Sequence, residues 1–383
     1  MKVMHVIEAM HTGGAESLVV EHVRGAAPDV RSTVVALNRG GPALEAATAA
    51  GAATLLLSKG GARAAALARL AREMRARAID VVNGHNPTGA LYGTLAARLA
   101  GVPVVVRTEH SIHYPGRGFP GYRPLELLLT ALSDRVIAVC EAARASHASR
   151  HRFASARFVT VLNGIGEAPP TRPRDEVRRE LGIAPGTPVA LTVGSLTPQK
   201  SQDVLLRAMA AAAPRAPGAV LLVAGEGRLR EALLRLHAQL GLGERVHFLG
   251  ARTDVAELMP ACDLFVLSSS REGLSITLLE AMRAGRAALA TDVGGNREAV
   301  ADGATGRIVP VGDVARMADA LVELLGAPER REEFGAAARA RWRERFTARA
   351  MVERTEALYR EALAERRGIS PAAARGERDG GAA

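Results

Sequence analysis

The feature that most constrains this chain is an alternation of two periods. Short apolar runs of strand length (KVMHVIEA, RSTVVALN, ATLLLS) are separated by longer segments of helical period, AESLVVEHVRGAA and GPALEAATAAG. Strands covered on both faces read as unbroken apolar runs, and a helical crossover returns the chain so that successive strands lie parallel. The alternation therefore predicts βαβ units around a parallel sheet. It continues through IDVVNGH, GALYGTLAARLAG, PVVVRTEH, RVIAVC and RFVTVLNG, so the first part of the chain is expected to be a doubly wound α/β domain.

Residues 166–173, GEAPPTRP, interrupt the pattern with prolines that neither continue a helix nor donate to a central strand. A second series then runs from PVALTVGS and SQDVLLRAMAAAA through AVLLVAGEG, RVHFLG and LFVLSS to SITLLEAMRAG and AALATD. The 383 residues exceed what one ordinary core holds. The expected organisation is a Rossmann-like domain over 1–165, a linker over 166–173, and a second Rossmann-like domain over 174–342. A terminal helix over 343–365, packing through Phe346, Met351, Leu358 and Leu363, and a disordered tail over 366–383 complete it.

Composition narrows the class. With 48% hydrophobic and 23% charged residues the chain reads as globular rather than disordered or fibrous. Cys140 and Cys262 sit in apolar runs without metal spacing, which points to buried thiols in a reducing compartment. No run approaches the roughly 18 apolar residues of a membrane span, and MKVMHVIEAM meets a histidine and a glutamate too early for a secretory segment. The expected location is cytoplasmic, with membranes met only peripherally. A net charge of +10 suits anionic partners, but aromatics at 3% without basic interleaving disfavour nucleic acid. A phosphate-rich ligand or an anionic lipid surface remains.

In open α/β sheets ligands gather beyond the carboxyl ends of the strands, so unusual residues just after a strand are the candidates. Gly13 and Gly14 follow the first strand and open a helix, where bare backbone N–H groups receive phosphate, although Gly-Gly also marks a plain tight turn. His110 follows VPVVVR and can bond a sugar hydroxyl or polarise a reacting group; a loop histidine tied to backbone is the other reading. Lysine occurs only at positions 2, 59 and 200 among the 50 basic residues. Lys200, in the loop Gly194-Ser195-Leu196-Thr197-Pro198-Gln199-Lys200, thus suggests a compact ammonium on a phosphate. In the run from Ser270 to Met282, Glu272 lies in a loop and Glu280 in the following helix, about 12 Å apart if all intervening residues are helical. Glutamates also cap helices and face solvent, but Glu280 is set between Leu278-Leu279 and Ala281-Met282, where a carboxylate must find donors.

With these residues in view, the chain resembles the retaining GT-B glycosyltransferases of family 4 over nearly its whole length. Glu272 and Glu280 fall on that family's glutamate pair, within EGLSITLLEAMRAG followed by ATDVGGNREAV. The resemblance implies two Rossmann-like domains facing across a cleft, with the terminal helix returning to the first. It implies that Glu272, with Gly273, Leu274 and Ser275 beside it, contacts the donor sugar, that Glu280 contacts the ribose, and that Lys200 contacts the diphosphate near Gly194 and Ser195. His110 would stand beside the sugar at the reaction centre. Gly13 and Gly14 would approach the diphosphate and acceptor, and Gly225, Gly227, Arg252 and Val255 would frame the base. Many members carry an arginine where this chain has Ser195, so the leaving group has one cation fewer unless Arg271 or Arg252 compensates.

The implied reaction is metal-independent transfer from a UDP- or GDP-sugar, a co-substrate rather than a resident cofactor, to a saccharide or polyprenyl-phosphate-linked acceptor in cell-surface polysaccharide biosynthesis. No resident cofactor is expected. Residues 112–124, IHYPGRGFPGYRP, break the alternation and read as an acceptor or membrane-contacting loop or as an ordinary excursion. The rival activities are a nucleotide-sugar epimerase or phosphorylase of the same fold and a catalytically weak nucleotide-binding protein. Neither glycine loop spells the dinucleotide fingerprint, which disfavours a dehydrogenase.

Overall fold

A computed structural model describes residues 1–57, 63–112 and 122–369 of the chain. They divide into two compact units, Met1–Gly164 together with the chain from Ala348, and Ile165–Thr347.

The first unit is built on strands β1 (Lys2–Ala9), β2 (Arg31–Arg39), β3 (Ala53–Leu56), β4 (Val81–His85), β5 (Val104–Glu109), β6 (Arg135–Ala138) and β7 (Phe158–Thr160), in spatial order 3-2-1-4-5-6-7. Every pairing is parallel. The order reverses at β1, which lies between β2 and β4, and that reversal opens a crevice at the carboxyl ends of the strands. Alternation along β1 feeds two cores. Met4 and Val6 pack with Leu70, Met74 and Val82, while Ile7 packs with Val19, Val20 and Val34.

The last helix belongs to this unit. Its buried Met351, Leu358 and Leu363 provide the apolar contacts, Glu356 accepts from the Ala27 N–H at 3.0 Å, and Arg360 reaches Asp29 at 2.9 Å. It spans Ala348–Arg366, not 343–365, because the preceding helix, Pro328–Arg345, ends before it. Between them Phe346 is fully buried, its carbonyl accepts from Ile165 N–H at 3.0 Å, and Thr347 bridges to Ile165. An extended pairing there breaks the single helix that the amino-acid pattern suggests.

The second unit carries β8 (Val189–Val193), β9 (Val220–Ala224), β10 (Val246–Gly250), β11 (Leu264–Leu267), β12 (Ala287–Thr291) and β13 (Gly306–Val309), in order 10-9-8-11-12-13 and again all parallel. Here the reversal falls at β8. Leu205, Leu221, Val223, Leu264, Leu289 and Leu321 are part of its core. The proline-rich segment is fastened to this unit: Glu257 accepts from the N–H and hydroxyl of Thr171 at 2.9 and 2.8 Å and from the Arg172 N–H at 3.0 Å.

Both cysteines are fully buried, and burial pushes the Cys262 thiol up to about 12. Residues 122–124, expected to close an irregular loop, instead open the helix Tyr122–Ala131. Lys59, residues 113–121 of that loop and positions 370–383 of the expected tail lie outside the described residues.

Candidate functional site

The second unit brings its candidates together at the carboxyl ends of β8, β9, β11 and β12. Two loops interleave first. Gly194 N–H donates to Ala224 O at 3.0 Å and Leu196 N–H to Glu226 O at 2.9 Å. This approach requires glycine, because a Cβ at Gly225 would stand 1.9 Å from the Gly194 carbonyl oxygen and one at Gly227 2.5 Å from that of Leu196. Gly225 N–H then donates to Gly250 O at 2.7 Å, tying in the loop that leads to Arg252 and Val255.

Lys200 and Glu272 meet directly, with Nζ 2.7 Å from Oε1 and both side chains largely buried. Their loops are laced by backbone as well: Gln199 O accepts from Ser270 N–H at 2.8 Å, Gln199 Nε2 donates to Arg271 O at 2.9 Å, and Lys200 O accepts from the Ser268 hydroxyl at 2.9 Å. The ammonium retains two further N–H donors and the carboxylate a second oxygen, so the pair can hold an anion on one side and a hydroxyl on the other.

The Glu272 loop is clamped by a turn that the residue-by-residue assignment omits. Gly294 has φ of +55°, and a Cβ there would lie 2.3 Å from Glu272 O. Gly295 N–H donates to Gly273 O at 2.6 Å, and buried Asn296 donates to Thr291 O at 2.9 Å. The sequence ATDVGGN already carried the signal in its paired glycines after a strand.

Helix begins only at Ile276, after the buried Gly273, Leu274 and Ser275, so the helical rise does not apply to the whole interval between the two glutamates. Glu280 lies in this helix, where burial, opposed by Arg283, pushes its carboxyl up to about 7.

Arg252, one of the two arginines that could compensate for Ser195, is paired locally. Its guanidinium grips Asp254 at 2.8 and 2.5 Å and stands 3.5 Å from Glu180, so it is committed to a local ion-pair network. Val255 begins the helix after Asp254, partly exposed. Ser195 and Arg271 are both exposed.

In the first unit Gly13 and Gly14 are exposed at the start of helix Gly14–Arg24. Glu16 sits in its first turn, where burial pushes the carboxyl up. His110 is not tied to backbone. Its Nε2 lies 3.0 Å from His85 Nδ1, and His85 Nε2 lies 3.0 Å from His5 Nδ1. The His110 Nδ1 is buried and has no partner among the described residues. Burial lowers His5 and His110 to about 4, lowers His22 to about 3 and takes His85 well below its ordinary range, so the group is neutral near pH 7.

A second polar chain runs beside it. The Thr108 hydroxyl donates to Asn83 Oδ1 at 3.0 Å, and Asn83 donates to the Tyr359 hydroxyl at 2.7 Å. Of these residues the sequence reading found only His110. His85, the last residue of β4, satisfies the same after-strand criterion.

Known proteins share both halves. The model for glycosyl transferases group 1 matches residues 173–341, and the model for glycosyltransferase family 4 matches residues 12–167. The GDP-mannose-dependent monoacylated alpha-(1-6)-phosphatidylinositol monomannoside mannosyltransferase of Corynebacterium glutamicum is 32% identical over 305 residues, 74% of this chain and 77% of that protein. Alpha-maltose-1-phosphate synthase of Mycobacterium tuberculosis is 32% identical over 343 residues, covering 79% and 86%. Among solved structures, Anabaena HepE in complex with UDP-glucose superposes with a TM-score of 0.80 at 21% identity, over 94% of this chain and 99% of that one, a likeness of fold.

Proposed function

This chain belongs to glycosyltransferase family 4 and is a glycosyltransferase of GT-B architecture, and we propose that it transfers a sugar from a UDP- or GDP-sugar, with retention and without a metal ion. The acceptor is a saccharide or lipid-linked saccharide in cell-surface polysaccharide or glycolipid assembly. The observation that carries the reading is the Lys200–Glu272 pair at 2.7 Å.

Cleavage of the donor leaves negative charge on the diphosphate and positive charge on the anomeric carbon. Lys200, with its free N–H donors, meets the first, and Glu272, through its second oxygen, orders the sugar hydroxyls around the second. Donors fixed before reaction stabilise developing charge without reorganisation, and removing one such donor typically slows an enzyme by about 10²–10³. Glu280 supplies the ribose contact, and a carboxyl raised by burial gains most from hydroxyl donors. Lys200→Ala and Glu272→Ala are each expected to lower kcat by at least about a hundredfold with melting temperature retained. Near-wild-type transfer by both would remove the assignment. NMR of the product's anomeric proton tests retention, and full activity after exhaustive chelation tests metal independence.

The mannosyltransferase relative has a lipid-linked acceptor in its name. No helix among the described residues is long and apolar enough to cross a membrane. A peripheral contact is supported by Leu128, 50% exposed, and by Phe153, 63% exposed and following exposed Arg150 and Arg152 in the chain. The short helix Arg152–Arg157 is pinned to helix Tyr122–Ala131 through Arg157, which donates to Ala131 O at 2.7 Å. Exposed apolar side chains in a strongly basic chain suit an anionic bilayer surface. Vesicles rich in anionic lipid should retain the protein at low salt and release Phe153→Ser. Equal retention by neutral vesicles would argue against the electrostatic part.

A further inference from the structure

Three histidines from separate parts of the first domain form one hydrogen-bonded series. His5 on β1 is in register with Asn83 on β4, and His85 on β4 with Thr108 on β5. Residues two apart share a face of a sheet, so His5, His85 and His110 are brought to one face in sequence across three adjacent strands. The two N···N distances are both 3.0 Å, the ring centroids are 5.3 Å apart at each step, and His22 stacks on His5 at 5.6 Å.

A neutral imidazole has one N–H donor and one lone pair. A proton on His110 Nε2 must point at a bare His85 Nδ1. His85 then carries its proton on Nε2, pointing at a bare His5 Nδ1, and His5 is in turn protonated on Nε2. The alternative reverses every member at once, leaving all three protonated on Nδ1. Mixed states set two N–H groups or two lone pairs face to face and lose a buried hydrogen bond. Free imidazole side chains intrinsically favour the Nε2–H form, which the first arrangement gives to all three rings.

We propose that His5, His85 and His110 form a tautomer relay in which His5 and His85 are positioning residues that fix His110 Nδ1 as a bare acceptor for a hydroxyl of the transferred sugar. The hydroxyl assignment rests on the glycosyltransfer reading, whereas the relay rests on geometry alone. The partner of that hydroxyl is the buried His110 Nδ1, which has no hydrogen bond among the described residues. An acceptor fixed in this way selects a sugar that presents a hydroxyl there and disfavours a deoxy or acceptor-only analogue by about tenfold or more, since a buried acceptor is then left unpaired.

Imidazole ¹⁵N NMR of the intact protein at pH 7.5 tests the relay, because protonated and bare ring nitrogens resonate far apart. The expected result is Nε2–H with bare Nδ1 at His5, His85 and His110. Protonation at His110 Nδ1, or mixed and independent tautomers at the three rings, would overturn it. His85→Phe should return His110 to a mixture of tautomers and lower kcat/KM about tenfold. His85→Asn, whose amide oxygen can take the place of Nδ1, should keep His110 in its Nε2–H form and stay within about threefold of wild type. A His110 tautomer unchanged in His85→Phe would also overturn the proposal. The resting-state spectrum is read without turnover, so a failure of the glycosyltransfer reading shows separately in the transfer assay.

Discussion

At the scale of single residues, Glu280 makes the sharpest claim. An unfolded carboxyl ionises near 4.5, whereas burial holds this one at about 7. The folded state therefore binds the extra proton between those values, and the stability that Glu280 allows is complete below pH 4.5 and declines as pH rises through 7. Glu280→Gln should stabilise the ligand-free protein by about 1–2 kcal/mol at pH 8 and leave it unchanged at pH 4. Parallel stability curves for the two proteins would contradict this. If ribose hydroxyls donate to the carboxylate, they favour its ionised form, so donor binding near pH 6 should release protons. Calorimetry in buffers of different ionisation enthalpy measures that release, and the glutamine variant should lose it. Ser195 invites the opposite manipulation. It is exposed in the Lys200 loop, and Arg252 is occupied by Asp254, so Ser195→Arg should tighten UDP or GDP binding several-fold at low salt, with the gain shrinking as salt screens it. Unchanged affinity would mean that the diphosphate does not pass that position.

Elements are where the sequence was most and least informative. Short apolar runs such as LFVLSS and PVVVRTEH became strands, as their length and their alternation with longer helical segments implied, and the run after β11 places Glu272 in a loop and Glu280 in the following helix, as its pattern suggested. The histidine series was not legible in the same way. Residues 5, 85 and 110 become neighbours only because the sheet is ordered 1-4-5, and spacing along the chain carries no trace of that order. The break at Phe346 was hidden for a related reason: the pairing with Ile165 that ends the helix comes from 181 positions earlier in the chain. Glycine loops lie between these cases, visible as glycine but silent about what they touch. Gly294 combines a left-handed φ with a 2.3 Å approach to Glu272 O, so Gly294→Ala must strain the turn and displace the Glu272 loop together. The expected loss is about 2 kcal/mol or more of stability, with donor binding weakened beyond what that loss explains. A variant that binds the donor normally would show that the clamp does not position Glu272.

For the molecule as a whole, the two units differ in how they answer to acid. Among its described residues the first holds four histidines whose affinity for protons is depressed by burial, His5, His22, His85 and His110. Their unfolded forms take up protons near pH 6.5 and their folded forms only near 4 or below, so the stability they permit is full above about 6.5 and is lost as pH falls toward 4. For His5 alone the linkage amounts to about 2 kcal/mol at pH 5. In the second unit the lowered carboxyls, Asp254, Glu257 and Asp263, lose their contribution only at still lower pH, and Glu280 works in the opposite sense. Acidification from pH 8 to 5 should therefore lower the melting temperature of the first unit well before that of the second, separating a calorimetric transition into two. The resolved component should carry the near-UV signal of Tyr359 in the first unit rather than that of Trp342 in the second. His22→Leu, which removes one of the four titrating groups and none of the hydrogen bonds of the series, should reduce the pH dependence of the first transition by up to one proton. Unfolding that stays a single transition with Tyr359 and Trp342 reporting the same midpoint at pH 5 would show that burial of the histidines does not set the acid limit of this protein.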